Sequence, residues 1–197
     1  MQRAAGQAGT AARPRPYRLH RTVVLVGMMG SGKSAVGRTL AGRLGVPHID
    51  SDVAIEEAAN ATIAEIFARD GEAFFRDRER AVISRLLSGP PVVLSTGGGA
   101  FVSAENRRMI SERGVSIWLD AALDTLWERV RHKDTRPLLK APDPKGRLAE
   151  LMEARTPLYA EADLSVASEP GYSLDQTTDR VIAALLTRPD VLTEETA

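Results

Sequence analysis

The chain has 197 residues, of which 43% are apolar and 26% charged, a composition typical of folded globular proteins and far from disordered or collagen-like chains. Its 26 basic and 26 acidic side chains cancel to zero formal charge, and the length suits one domain. The absence of cysteine excludes disulfide scaffolds, thiolate zinc sites and thiol nucleophiles and points to a cytoplasmic setting, while the longest uncharged stretch, Leu86 to Ala104, holds too many glycines and prolines to span a bilayer.

Residues 1–20 read as a disordered basic tail, because Arg3, Arg13, Arg15 and Arg18 lie there and the first acidic residue is Asp50. This stretch lacks the apolar core of a secretory signal. Thr22 to Val26 is a buried-strand pattern, followed by a Gly-rich turn and a helical pattern from Lys33 to Leu44. His48 to Asp50 reads as a second strand. Val53 to Asn60 and Thr62 to Arg69 read as two helical pieces, the latter opened by the capping-box spacing Thr62/Glu65. A longer amphipathic helix is expected from Glu72 to Leu87, then a strand from Val92 to Ser95, a Gly97–Gly99 loop, a helix from Ala104 to Arg113 and a strand from Val115 to Leu119. After a Leu123 to Arg131 helix comes His132 to Gly146, a polar, Pro-containing segment too long for an ordinary connector and expected to act as a mobile lid. Arg147 to Ala160 reads as a helix, Leu164 to Ala167 as the last strand, Leu174 to Leu186 as a closing helix, and 188–197 as a frayed tail. Strands alternating with helices predict a parallel sheet covered on both faces, in one domain spanning 21–187, with ligands at the carboxyl ends of the strands.

Gly27-Met28-Met29-Gly30-Ser31-Gly32-Lys33-Ser34 matches the phosphate-loop pattern G-x-x-x-x-G-K-[ST], placed between a strand and a helix as that motif requires. Its glycines allow backbone N–H groups to curl around phosphate oxygens. Lys33 reaches the outer phosphates, and Ser34 offers an oxygen to Mg²⁺. Asp50-Ser51-Asp52 ends the second strand, where the period of two would send both carboxylates to one face, suited to one metal-supporting and one proton-accepting role. The alternative is Asp52 as a helix N-cap with Asp50 an ordinary loop acid. Thr96-Gly97-Gly98-Gly99 follows the third strand and exposes backbone to a small ligand, or is simply a turn. Arg76 and Arg155 are candidates for gripping a carboxylate, against the alternative of helix-surface pairing with Glu79 and with Glu150 and Tyr159. Arg136 lies in the lid, either neutralising charge on a transferring phosphoryl group or belonging to a solvated basic flap with His132, Lys133 and Lys140. Trp118 and Trp127 fit core positions, and the three histidines lack metal-ligand spacing.

Taken together, Gly27 to Ser34, Asp50-Ser51-Asp52, Phe75-Arg76-Asp77-Arg78-Glu79, Thr96 to Gly99, Thr135-Arg136-Pro137-Leu138-Leu139 and Arg155-Thr156-Pro157-Leu158-Tyr159 resemble the shikimate kinase family from Arg21 to Leu186. The resemblance implies a nucleoside-monophosphate-kinase-like α/β/α fold with five parallel strands in order 2-3-1-4-5. It also implies MgATP-dependent phosphorylation of shikimate on its 3-hydroxyl, in aromatic amino-acid biosynthesis. By the same resemblance Gly30, Ser31, Gly32, Lys33, Ser34 and Ala35 hold ATP phosphates, Ser34 and Asp50 serve Mg²⁺, and Asp52 is the base that accepts from shikimate hydroxyls. Arg76, Arg155 and Gly97, Gly98 and Gly99 bind shikimate, Glu79 orients Arg76, Arg136 is the lid arginine, and Arg129 or Arg131 stacks on adenine beside Ser168-Glu169-Pro170. A monomer is implied. A gluconate kinase of the same fold and a non-catalytic ATP-binding regulator are the alternatives. Nucleic acid and membrane are not expected as partners, since a basic-plus-aromatic surface is lacking at 5% aromatic content.

Overall fold

The computed structural model describes residues 16–132 and 142–195. Its first strands are β1 (Tyr17–Leu19) and β2 (Thr22–Val26), and the Thr-Val-Val-Leu-Val run of β2 is buried at every position, as a strand covered on both faces must be. With β2, β3 (His48–Asp50), β4 (Val93–Ser95), β5 (Gly114–Asp120) and β6 (Leu164–Ala167) form one parallel sheet in the spatial order β3-β4-β2-β5-β6. Counted along the chain from β2, this is the expected 2-3-1-4-5 order. Because β2 is central, the loop leaving its carboxyl end lies over the middle of the sheet, flanked by the ends of β4 and β5.

Seven helices cover the sheet among the described residues: α1 (Lys33–Leu44), α2 (Ser51–Ala59), α3 (Ile63–Leu87), α4 (Ala104–Arg113), α5 (Leu123–Val130), α6 (Pro144–Tyr159) and α7 (Leu174–Leu186). Strand alternation sorts β2 between two cores. Val23 and Leu25 pack with Leu40 and Leu44 of α1 and Val181 and Leu185 of α7, while Val24 and Val26 pack with Ile83, Ile110, Leu126 and Leu148 on the opposite face. Full burial of each such side chain stabilises the fold by roughly 1.5–3 kcal/mol. A third cluster, Ala54, Ile55, Ile66, Phe75 and Val82, joins α2 to α3. No helix among the described residues is long and apolar enough to cross a membrane.

Two local expectations are corrected and one is refined. α2 starts at Ser51, not Val53, because Asp50 is the N-cap and accepts from the Asp52 amide at 3.1 Å. The two helical pieces expected at 62–69 and 72–87 are both present within α3, which is broken between them at Gly71 (φ 83, ψ 174), a conformation that glycine alone adopts easily, and the Thr62/Glu65 capping box opens the first as expected. α6 starts at Pro144, since Asp143 accepts from the Gly146 amide and proline suits a first helical turn, so 144–146 belong to a helix instead of the lid. The remainder of the expected lid, 133–141, including Arg136, lies outside the described residues, as do 1–15 of the expected basic tail.

Both expected tails are too wide. Tyr17–Leu19 pairs antiparallel with β7 (Leu192–Glu194), in the register Tyr17↔Glu194 and Leu19↔Leu192. Val191 and Leu192 are buried against the α1–α7 core. Arg21 locks the pair by donating to Asp190 and to the Ser111 and Glu112 carbonyls. Asp190 is drawn down to about 2 by its hydrogen bonds to Arg188 and, secondarily, Arg21. Leu192→Ala should lower the unfolding free energy by about 2–4 kcal/mol, as for other buried leucine truncations. Denaturant unfolding checks this, and an unchanged midpoint would mean that the strand is a dispensable tail.

Candidate active site

The loop 27–34 joins β2 to α1 and reverses direction through Gly30 (φ 81) and Gly32 (φ 98), both in the left-handed region that favours glycine. A Cβ on Gly30 would also come within 2.7 Å of Val130 Cγ1, so space and backbone both require glycine there. α1 starts with no side-chain cap and no acidic residue in its first turn. Its first amides and the positive end of its dipole are thus left for an anion. Lys33 is buried and curls back, Nζ donating to the carbonyls of Gly27 and Met28 at 2.9 Å each. The Ser31 hydroxyl is buried in the same loop with no hydrogen-bond partner among the described residues.

Asp50 connects this loop to the next strand. Its Oδ2 accepts from Ser34 Oγ at 2.9 Å while Oδ1 caps α2. Asp52 is therefore on the first turn of a helix, and the period-two expectation for the pair fails, because the chain turns helical at Ser51. Both carboxylates nevertheless line one cavity of about 590 Å³ with Lys33, Ser34, Gly97, Gly98 and Arg129. Asp52 lies hard against the three-glycine loop: a Cβ on Gly97 would meet its Oδ1 at 2.6 Å. One hydroxyl next to one carboxylate is the hard-oxygen donor set that suits Mg²⁺, which otherwise keeps waters and substrate phosphates. No cluster of three or more His, Asp or Glu side chains competes for a metal among the described residues.

Arg76 and Arg155 are not among the residues lining this cavity, but they meet the Gly97–Gly99 loop that bounds it. Arg76 presses its guanidinium over Gly99, where a Cβ would find both terminal nitrogens at 2.8 Å. It is held by Glu79 at 2.9 Å and Glu72 at 3.2 Å, which is the helix-surface pairing considered for it. Glu79 is 1% exposed; burial pushes its carboxyl up, Arg76 opposes this, and the charges of Asp52 and Glu72 add to the rise. Burial works against the Arg76 charge, but Glu79 and Glu72 outweigh it and keep the guanidinium protonated. Arg155 donates to the Gly98 carbonyl at 3.4 Å, whereas Glu150, the helix partner considered for it, pairs with Arg147.

Of the two arginines considered for the nucleotide base, Arg129 reaches the loop, donating to Gly30 O at 3.3 Å and to Ser168 Oγ at 3.2 Å. Arg131 pairs with Glu128 at the surface. Ala35 and Thr96, the latter from the Thr96–Gly99 motif, line the cavity, and so do Arg38 and Val53, which sequence reasoning missed. Arg38 was findable, being four residues after Ser34 and hence one turn along the same helix face. His48 hydrogen bonds with Ser95 Oγ at 2.9 Å, and Ser95 in turn donates to Lys33 O, giving the histidine a structural place behind the loop.

The family model "Shikimate kinase" matches residues 29–186. Over 174 residues the chain is 68% identical to a shikimate kinase of Ruegeria pomeroyi, covering 88% of this chain and 89% of that protein. It is 63% identical to a shikimate kinase of Cereibacter sphaeroides, over 89% of this chain and 87% of the relative. Among solved structures, shikimate kinase from Acinetobacter baumannii in complex with shikimate superposes with a TM-score of 0.78 at 37% identity, covering 85% of this chain and 94% of that one.

Proposed function

The chain belongs to the shikimate kinase family and transfers phosphate from ATP to shikimate, and we propose that the side chains around the Gly27–Ser34 loop carry that reaction in the roles that follow. One observation supports the assignment above all others: a single cavity of about 590 Å³ joins the phosphate loop, two carboxylates and the three-glycine loop.

The amides of Gly30 to Ala35 and the Lys33 ammonium hold the outer phosphates of ATP. Ser34 and Asp50 would hold Mg²⁺, which, when bound, neutralises charge on the phosphate oxygens. Arg76 and Arg155 take the shikimate carboxylate in their guanidinium forks, and Gly97 to Gly99 let the ring lie close to backbone. Asp52 then faces the attacking hydroxyl, accepts its hydrogen bond and takes its proton at a carboxylate oxygen as the new O–P bond forms and the bond from the γ-phosphorus to its bridging oxygen breaks, that oxygen leaving on ADP. Arg129 and Ser168 wall the adenine side. Arg136, outside the described residues, is assigned to the transferring phosphoryl group. Phosphoryl transfer needs mainly positioning and charge neutralisation, and these cationic and acceptor groups provide both. The assignment includes a cytoplasmic monomer that binds neither nucleic acid nor membrane, supported by the cysteine-free sequence and zero formal charge.

Two arginines on one glycine loop favour a compact cyclic acid over gluconate, the other carboxylated polyol considered. ADP release in MgATP should therefore depend on shikimate and stay at background with gluconate or with no acceptor. In the same assay Arg155→Ala should raise the KM for shikimate at least tenfold and leave that for ATP within about twofold, since one charged hydrogen bond contributes roughly 1.5–3 kcal/mol. Equal rises for both substrates would remove Arg155 from the carboxylate.

A further inference from the structure

Three consecutive glycines form the most pliable peptide a chain can contain, yet a loop that binds through its backbone has to present it in one orientation. The Gly97 and Gly99 carbonyls accept turn bonds from the Ala100 and Val102 amides at 3.1 Å each, and side chains tie Gly97 to Ala100 at three further points. At one end Ser51 Oγ accepts from the Gly97 amide at 3.3 Å, and at the other Asn106 Nδ2 donates to the Ala100 carbonyl at 2.9 Å. In the middle, the Tyr159 hydroxyl donates to the Gly98 carbonyl at 2.5 Å, beside the Arg155 guanidinium that donates to the same oxygen.

Tyr159 is built for this contact. It is 1% exposed, and its ring stacks between Phe101, with centroids 6.4 Å apart, and Trp118, at 6.2 Å. Burial pushes its phenol up against the opposing charge of Arg155, so the hydroxyl stays a donor. Arg155 and Tyr159 are four residues apart and share one face of α6. Among the described residues the amides of Gly98 and Gly99 donate to no protein group. A trans peptide points its N–H opposite to its C=O, so fixing the Gly98 carbonyl towards α6 turns the Gly99 amide away from that helix.

We propose that Tyr159 is a positioning residue for acceptor binding: through the Gly98 carbonyl its hydroxyl sets the orientation of the free glycine amides and the place of the Arg155 guanidinium. It touches no reacting atom. The inference rests on the assignment of Arg155 and the glycine loop to the carboxylated substrate. Tyr159→Phe keeps the ring in its stack and deletes only the donor, which separates positioning from packing.

The test measures kcat, both KM values and thermal stability for the intact protein, Tyr159→Phe, Arg155→Ala and the double variant. Tyr159→Phe should raise the KM for shikimate three- to tenfold, the span of one neutral hydrogen bond, while the KM for ATP stays within twofold. The double variant should lose less than the product of the two single effects, because both side chains act on one oxygen. Should Tyr159→Phe leave the shikimate KM unchanged while Arg155→Ala still raises it, the site assignment stands and the positioning role falls. A lower melting temperature with equal changes in both KM values would likewise reduce Tyr159 to a packing residue. If Arg155→Ala itself spares the shikimate KM, the underlying assignment fails, and the role of Tyr159 with it.

Discussion

Asp52→Asn should lower kcat by about a hundred- to ten-thousandfold while changing ATP affinity less than about threefold, the span expected when a positioned general base is removed. The side chain keeps its shape and one carbonyl oxygen, so it can still lie against Gly97, where a Cβ would meet the carboxylate at 2.6 Å. What disappears is the negative charge and the capacity to receive the hydroxyl proton. ATP is held by the other wall of the cavity, where Lys33 donates to the Gly27 and Met28 carbonyls and Ser34 to Asp50, and where the α1 amides lie. Steady-state ADP release together with titration calorimetry of ATP separates the two quantities. Turnover within tenfold of the unaltered protein would take the base role from Asp52 and leave it a hydroxyl-orienting acceptor.

The complementary loss is expected from Lys33→Met. Methionine retains an unbranched stem of similar reach, so the buried channel stays filled, but the ammonium is gone. Two consequences combine. The Gly27 and Met28 carbonyls each lose a donor at 2.9 Å, loosening the loop, and the charge developing on the outer phosphates loses its nearest fixed cation. kcat/KM for ATP should fall by about a hundred- to a thousandfold, with shikimate binding, measured without nucleotide, nearly unchanged. A parallel loss of shikimate binding would show instead that the loop and the acceptor wall collapse as one unit.

These two walls differ in how far the sequence disclosed them. The phosphate loop was legible in full, because its chemistry depends on consecutive residues whose spacing is the geometry. The parallel sheet follows from the alternation of elements, and its strand order from the family resemblance alone. Asp50 and Asp52 do line one cavity, but by another route than strand alternation, since Asp50 caps the helix that carries Asp52. A cap and a strand end look alike in three residues. Arg129 and Arg131 were indistinguishable, since two residues along a helix is a rotation of some 200° and only the position of α5 on the sheet decides which one faces Gly30. Tyr159 was visible only as a helical neighbour of Arg155; its partner is a carbonyl 61 residues away, and no local pattern encodes such a bond. The β1–β7 pairing was missed for the same reason, because a strand of three residues, Tyr-Arg-Leu, is too short to rise above the basic segment around it.

That pairing also orders events during synthesis. β1 is made about 175 residues before its partner β7. At ordinary translation speeds of roughly 5–20 residues per second, the interval is about ten to thirty-five seconds. Throughout it the nascent chain can wind α1 and pair β2 with β4 and β5, but Leu19 has no strand to lie against and the sheet end near Val191 stays open. Closure of this seam thus comes after the whole parallel sheet has been made, and a chain ending before Leu192 would carry the phosphate loop and both carboxylates with its seam unsewn, a ready substrate for proteases that survey unfinished proteins.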